Sequence, residues 1–163
     1  VGAAGDTVLA PEAAAKVAGL PLVDDRRSSS SIAFGDRIPP LSLDIATRLA
    51  SLVPADLGSR ATSLRLELVD GFGFTVAADG PGAGWRAVFG IYSATIRPPE
   101  MVPGQVRLLR SLLDGREPGI GWVLLADEQA GTFTPLGVQP PPPSFATDSP
   151  PPSASPSSTG IVP

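Results

Sequence analysis

At 163 residues, with 42% of them hydrophobic, the chain is long enough to fold one domain around its own core. Its 16 acidic and 12 basic residues give a formal charge of −4, which argues against a nucleic-acid surface, since phosphate neutralisation needs clustered Lys and Arg. Cysteine and histidine are both absent, which removes disulfides, thiolate nucleophiles, Cys/His zinc sites and the imidazole base.

The first element in chain order is a short strand around Thr7, Val8 and Leu9. A helical turn or two follows, with Pro11 at a tolerated first position and Gly19 as a stop. Residues 21–40, PLVDDRRSSSSIAFGDRIPP, are polar and read as surface loop. Residues 41–53 place Leu41, Ile45, Leu49 and Leu52 at helical spacing, with Ser42 as the expected N-cap and Pro54 helping to end the helix. Leu64, Leu66 and Leu68 then alternate with Ser63, Arg65 and Glu67, the pattern of a half-buried strand with a wet outer face.

The stretch DGPGAGW, residues 79–85, has glycines at alternate positions but no Lys-Ser or Lys-Thr pair and no helix behind them, so it is not a phosphate cradle. Phe72, Phe74, Val76 and Ala78 alternate before it, and Trp85, Ala87 and Phe89 alternate after it. The stretch is therefore the turn of a β-hairpin. Residues 91–103, IYSATIRPPEMVP, are a connection, with at most a short strand over Ile91 to Ile96. A second helix is expected over 103–114, with Val106, Leu109 and Leu113 on its stripe and Gly115 at its end. GIGWVLLAD and GTFTPLGV supply one or two closing strands. The fold class is α+β: a mostly antiparallel sheet with two main helices packed on it.

Residues 1–138 form the domain. Residues 139–163 are rich in Pro, Ser and Thr with few apolar anchors, and are expected to be a disordered tail of polyproline character. No catalytic constellation emerges. Asp24-Asp25 and Asp127-Glu128 are adjacent acids on turns, Ser28 to Ser31 lack a base, and there is no nucleophile elbow. The expectation is a protein that is not an enzyme and uses no cofactor or metal.

Four stretches in succession carry a resemblance: residues 41–76, LSLDIATRLASLVPADLGSRATSLRLELVDGFGFTV; then GWRAVFG; then MVPGQVRLLRSLLDG; then GWVLLADEQAGTFTP. Over residues 41–135 this order of elements resembles the extracytoplasmic β domain of the FtsQ/DivIB cell-division family. Members of that family have a membrane-spanning helix and a POTRA domain ahead of the β domain. Neither is found in this chain, so the expectation is a fragment or incomplete product, anchored only through an N-terminal segment that is not included.

The resemblance implies a non-catalytic divisome scaffold at the septum, on the outer face of the membrane. Its implied partners are FtsB/FtsL-like proteins and the septal peptidoglycan synthase complex, engaged by pairing a partner strand with the edge of the last strand. The corresponding segment holds Thr132, Phe133 and Thr134, with Trp122 just before it. Phe133 is either an anchor at the interface or a core residue of the closing strand. Proline at one of Thr132 and Thr134 is expected to weaken binding, and at the other to damage the fold. The alternative reading is a secreted or cell-wall-associated binding module with a Pro-rich stalk.

Overall fold

The structure, a computed structural model, describes residues 21–28, 38–95 and 97–141. The strand expected at Thr7 to Leu9, the helix after Pro11 and the chain beyond 141 lie outside these residues. Six strands and two helices are described: β1 (Val23–Asp25), α1 (Pro40–Ala50), β2 (Ser63–Val69), β3 (Gly73–Asp79), β4 (Arg86–Gly90), α2 (Val102–Leu113), β5 (Ile120–Leu125) and β6 (Gly131–Pro135).

The six strands form one sheet whose spatial order is the chain order. Three pairings, β2 with β3, β3 with β4 and β5 with β6, are antiparallel, and β1 with β2 and β4 with β5 are parallel. The fold is therefore α+β with a mostly antiparallel sheet. Each parallel pair needs a crossover, and the two helices supply them, α1 between β1 and β2 and α2 between β4 and β5. Both crossovers move the same way across the sheet from strands of the same direction. The right-handed rule then puts both helices on one face.

That face is the core. Leu66 from β2, Phe74, Val76 and Ala78 from β3, Ala87 and Phe89 from β4 and Val123 and Leu125 from β5 are buried there with Trp85. They meet Ile45 and Leu49 of α1 and Leu109 and Leu113 of α2. The apolar stripes expected on both helices are the ones that pack, with Leu41, Leu52 and Val106, and Leu64 and Leu68 of β2, half-buried at the margins of the core. Each fully buried aliphatic contributes ~1.5–3 kcal/mol relative to exposure, which fixes the register against a one-residue slip.

Local expectations are corrected in several places. Within the presumed loop of residues 21–40, Val23–Asp25 is a strand, paired in register with Leu66 to Leu68. Its charges hide it, because Asp24 and Asp25 turn to ion pairs with Arg26 and Arg27 while β2 supplies the ladder. Helix α1 starts at Pro40, with Pro39 at the N-cap, so Ser42 falls inside the first turn and does not cap. It ends at Ala50, and Val53 is extended ahead of Pro54, as a residue before proline prefers. Phe72 does not share the face of Phe74 and Val76. It lies in the β2–β3 turn, and its ring packs 5.2 Å from that of Trp122 on the opposite side of the sheet.

Glu67, expected on a wet face, is 1% exposed. Arg26, Arg86 and Arg65 approach its carboxylate at 3.2, 3.4 and 3.8 Å and close over it. Residues 91–95 contribute an isolated bridge, Ser93 to Arg97, in place of a strand. Helix α2 lies within one residue of its expected span, and Gly115 takes φ +68° just beyond it.

A second buried carboxylate ties the helix face together. Glu117 accepts hydrogen bonds from the Trp85 indole (2.8 Å), the Arg60 N–H (2.9 Å) and the Ser59 hydroxyl. Burial pushes its carboxyl up. The donors, Ser59 first, more than offset this and hold it below the ordinary carboxylate range.

Candidate partner-binding edge

Among the described residues, the two outer strands of the sheet are β1 and β6, and they differ in what they offer. The β1 edge has three residues and is followed directly by Arg26 and Arg27, charges of the kind that blunt an edge against further pairing. The β6 edge has five residues, Gly-Thr-Phe-Thr-Pro, with no charge.

Which main-chain groups of β6 face outward follows from the register. Val123 pairs with Phe133 and Leu125 with Gly131. The Ala126 N–H donates to Ala130 O at 2.9 Å, and the Leu136 N–H to Gly119 O at 2.9 Å. These bonds flank the Leu125–Gly131 and Ile120–Pro135 pairs and make them the wide pairs of the ladder. Gly131 and Phe133 therefore direct N–H and C=O away from β5, and Thr132 and Thr134 direct theirs toward it. Pro135 offers only a carbonyl outward. The expected contrast between Thr132 and Thr134 is thus corrected: residues two apart in a strand point their N–H groups the same way. The contrast lies between Phe133 and the two threonines.

The four residues singled out from sequence are brought to one edge but to two faces. Phe133, opposite Val123, is on the helix face and 45% exposed, so it is not a core residue. Trp122 pairs with Thr134 on the other face. There the Arg86 guanidinium sits 5.6 Å from the Trp122 ring centroid, and Phe72 packs beside it. Trp122 is half-buried behind β6 and supports the edge from within; it is not a protruding contact. On the helix face, Leu108 and Leu112 of α2 lean over Gly131: a Cβ there would meet them at 3.3 and 3.2 Å.

Sequence reasoning missed what holds this edge in place. The parallel pair β4–β5 has its last paired residues at Val88 and Leu124, and Arg97 is inserted beyond them. Its guanidinium donates to Phe89 O (3.0 Å), Leu125 O (2.8 Å) and Ala126 O. Gln105, 0% exposed, reaches the same two strand ends and accepts from the Tyr92 hydroxyl at 2.6 Å. Burial pushes the Tyr92 hydroxyl above its ordinary range, which keeps it a neutral donor. Asp127 accepts from the N–H groups of Gln129 and Ala130, both at 2.6 Å, and these bonds hold its carboxyl below the usual value. The β5–β6 turn is thereby set. The only sequence signal was an Arg in a connection and an Asp three residues before an Ala, neither of which is distinctive.

At the other end of β6, the β5 ladder shifts register between Ile120 and Trp122. A Cβ on Gly121 would fall on Pro135 O, with Leu136 Cα at 3.1 Å, and backbone cannot give way as a flexible side chain does. Gly121→Ala is expected to destabilise the fold by about 2 kcal/mol, the usual cost of overpacking, read as a lower urea midpoint.

A cavity of about 800 Å³ lies at the opposite end of the sheet, between α1, β1 and the β2–β3 turn. Its walls include Leu41, Ala46, Phe74 and Tyr92. Among the described residues, no helix is long and apolar enough to cross a membrane. No family model, curated protein or solved structure matches the chain.

Proposed function

We propose that the chain is a non-catalytic scaffold of the bacterial division machinery. It binds FtsB/FtsL-like partners, and through them the septal peptidoglycan synthase complex, by accepting a partner strand on β6. It acts at the extracytoplasmic face of the cell membrane. The observation that carries this reading is the β6 edge: an uncharged strand with the Phe133 N–H and C=O directed outward and an exposed Phe133 ring beside them. Strand addition needs an unpaired ladder for affinity and side-chain anchors for specificity, and among the described residues β6 offers both. Further support comes from the order of elements. The segments that resemble the FtsQ/DivIB β domain are α1, β2, β3, β4, α2, β5 and β6 in succession.

Phe133→Ala tests the reading through affinity. With the ring 45% exposed, its loss is expected to change the melting temperature little. Binding to a reconstituted FtsB/FtsL-like complex, measured by calorimetry, is expected to weaken about tenfold or more, as for a truncated aromatic anchor. Unchanged affinity together with lowered stability would remove Phe133 from the interface and return it to the fold.

A further inference from the structure

β6 ends at Pro135, but the chain does not leave the sheet there. The Leu136 N–H donates to Gly119 O at 2.9 Å, and a Leu136 methyl lies 3.9 Å from where a Gly84 Cβ would stand, so the chain crosses the start of β5 towards the β3–β4 hairpin. Gly137, at φ +83°, reverses it. The Val138 N–H then bonds back to Pro135 O at 3.1 Å, and the Thr134 hydroxyl donates to Val138 O at 2.6 Å. Thr134 pairs with Trp122 on the face without helices, so the turn delivers Val138 to that face, beside Trp122. Two residues on, Pro140 is buried between exposed Gln139 and exposed Pro141.

We infer that the surface around Trp122 is a dock for the chain's own proline run, residues 140–143, seated through Pro140. Among the described residues β6 is an outer strand, so a residue that follows it is shielded from water by turning inward over the sheet. On this face it meets an aromatic shelf. The Trp122 and Phe72 rings lie 5.2 Å apart with 33° between their planes, and the Arg86 guanidinium flanks Trp122 at 5.6 Å. Phe72 is 3% exposed, whereas Trp122 is only half-buried and offers the ring surface.

Proline-rich segments dock on aromatic surfaces of this kind because a polyproline helix arrives already ordered and packs its rings on flat ones. Its three residues per turn would bring Pro140 and Pro143 to one side of the run. The run follows the turn at Gly137 and Val138 almost directly, so its effective concentration at the shelf is high and weak docking suffices. The dock lies on the face away from α1 and α2, whereas the Phe133 ring is exposed on the helix face. It therefore backs β6 without covering the groups offered to a partner, and it holds whether or not β6 takes a partner strand.

Acrylamide quenching of tryptophan fluorescence in the full chain tests the dock. The sequence has two tryptophans, and Trp85, 0% exposed, is screened from the quencher, so the signal reports Trp122. Changing every proline of residues 140–143 to serine is expected to raise the quenching constant about twofold, as an aromatic ring loses its cover. The same change at prolines 150–152, in the same tail, is expected to leave the parent value. A peptide of residues 139–145, Gln-Pro-Pro-Pro-Pro-Ser-Phe, added at millimolar concentration, is expected to restore the parent value in the 140–143 variant and to have no effect on the parent, whose shelf is filled. Parent-like quenching of the 140–143 variant would overturn the inference. An equal rise in both variants, or a rise that the peptide does not reverse, would overturn it as well.

Discussion

Phe133→Pro is expected to leave the domain folded and to abolish partner binding, while Thr132→Pro and Thr134→Pro unfold or strongly destabilise it. The three substitutions remove one N–H each, from neighbouring positions of one five-residue strand. They differ in where that N–H points. At Phe133 it faces away from β5 and into the ladder a partner would form, the position at which an edge strand tolerates proline. At Thr132 and Thr134 it faces β5, so proline removes a ladder bond and crowds the pairing with Leu124 or Trp122, at a cost on the order of 3 kcal/mol. Circular dichroism melts and a pull-down on the same samples separate the outcomes. Folded Phe133→Pro that binds as the parent does would mean that β6 is not the docking edge.

An effect on the fold of similar size is expected at Glu117. In Glu117→Ala, the Trp85 indole, the Arg60 N–H and the Ser59 hydroxyl lose a shared acceptor at a site where Trp85 is 0% exposed. An unsatisfied buried donor costs ~1–3 kcal/mol, so the variant should lose about 3 kcal/mol at neutral pH. The sign of the pH dependence follows from the lowered carboxyl. A folded-state value below the unfolded one means that the ionised group stabilises the fold above about pH 4.5, and that this contribution is lost as pH falls through the folded value. Urea midpoints from pH 7 to pH 3 should therefore show the gap between parent and variant narrowing in acid. A constant gap over that range would mean that Glu117 acts by packing and not by charge. Asp70 and Asp127 are lowered as well, by hydrogen bonds from Ser28 and from the Gln129 and Ala130 N–H groups, so some acid sensitivity should persist in the variant.

The elements that could be read from sequence are those whose own periodicity faces the core. Ile45 and Leu49, Leu109 and Leu113, and Trp85, Ala87 and Phe89 each lie on one face of one element, and each is buried as its spacing requires. What could not be read depends on contacts between distant segments. β1 is three residues with two acids, and only the ladder with Leu66 to Leu68 makes it a strand. Phe72 fits the alternation of β3 by spacing, yet it precedes the first residue of that strand, and Trp122 draws its ring to the other face. Glu67 obeys the period of a solvent face and is nevertheless buried, because three arginines from three other positions converge on it.

At the candidate edge the segment was legible and its geometry was not. Gly131–Pro135 has the composition of a closing strand, but the outward direction of the Phe133 N–H depends on a ladder phase set by β5 and its bulge. Trp122 looked like a contact because it is aromatic and close in sequence. Its place between Arg86 and Phe72 makes it a support for the strand above it.

Residue-resolved amide hydrogen exchange of the domain, alone and with a saturating FtsB/FtsL-like complex, tests the docking edge most directly. In the free domain Thr132 and Thr134 should already be protected, and Phe133 and Gly131 should exchange quickly. On complex formation Phe133 and Gly131 should slow by at least tenfold while the β1 edge, Val23–Asp25, is unchanged. Binding that leaves the Phe133 amide exchanging at its free rate would contradict strand addition on β6.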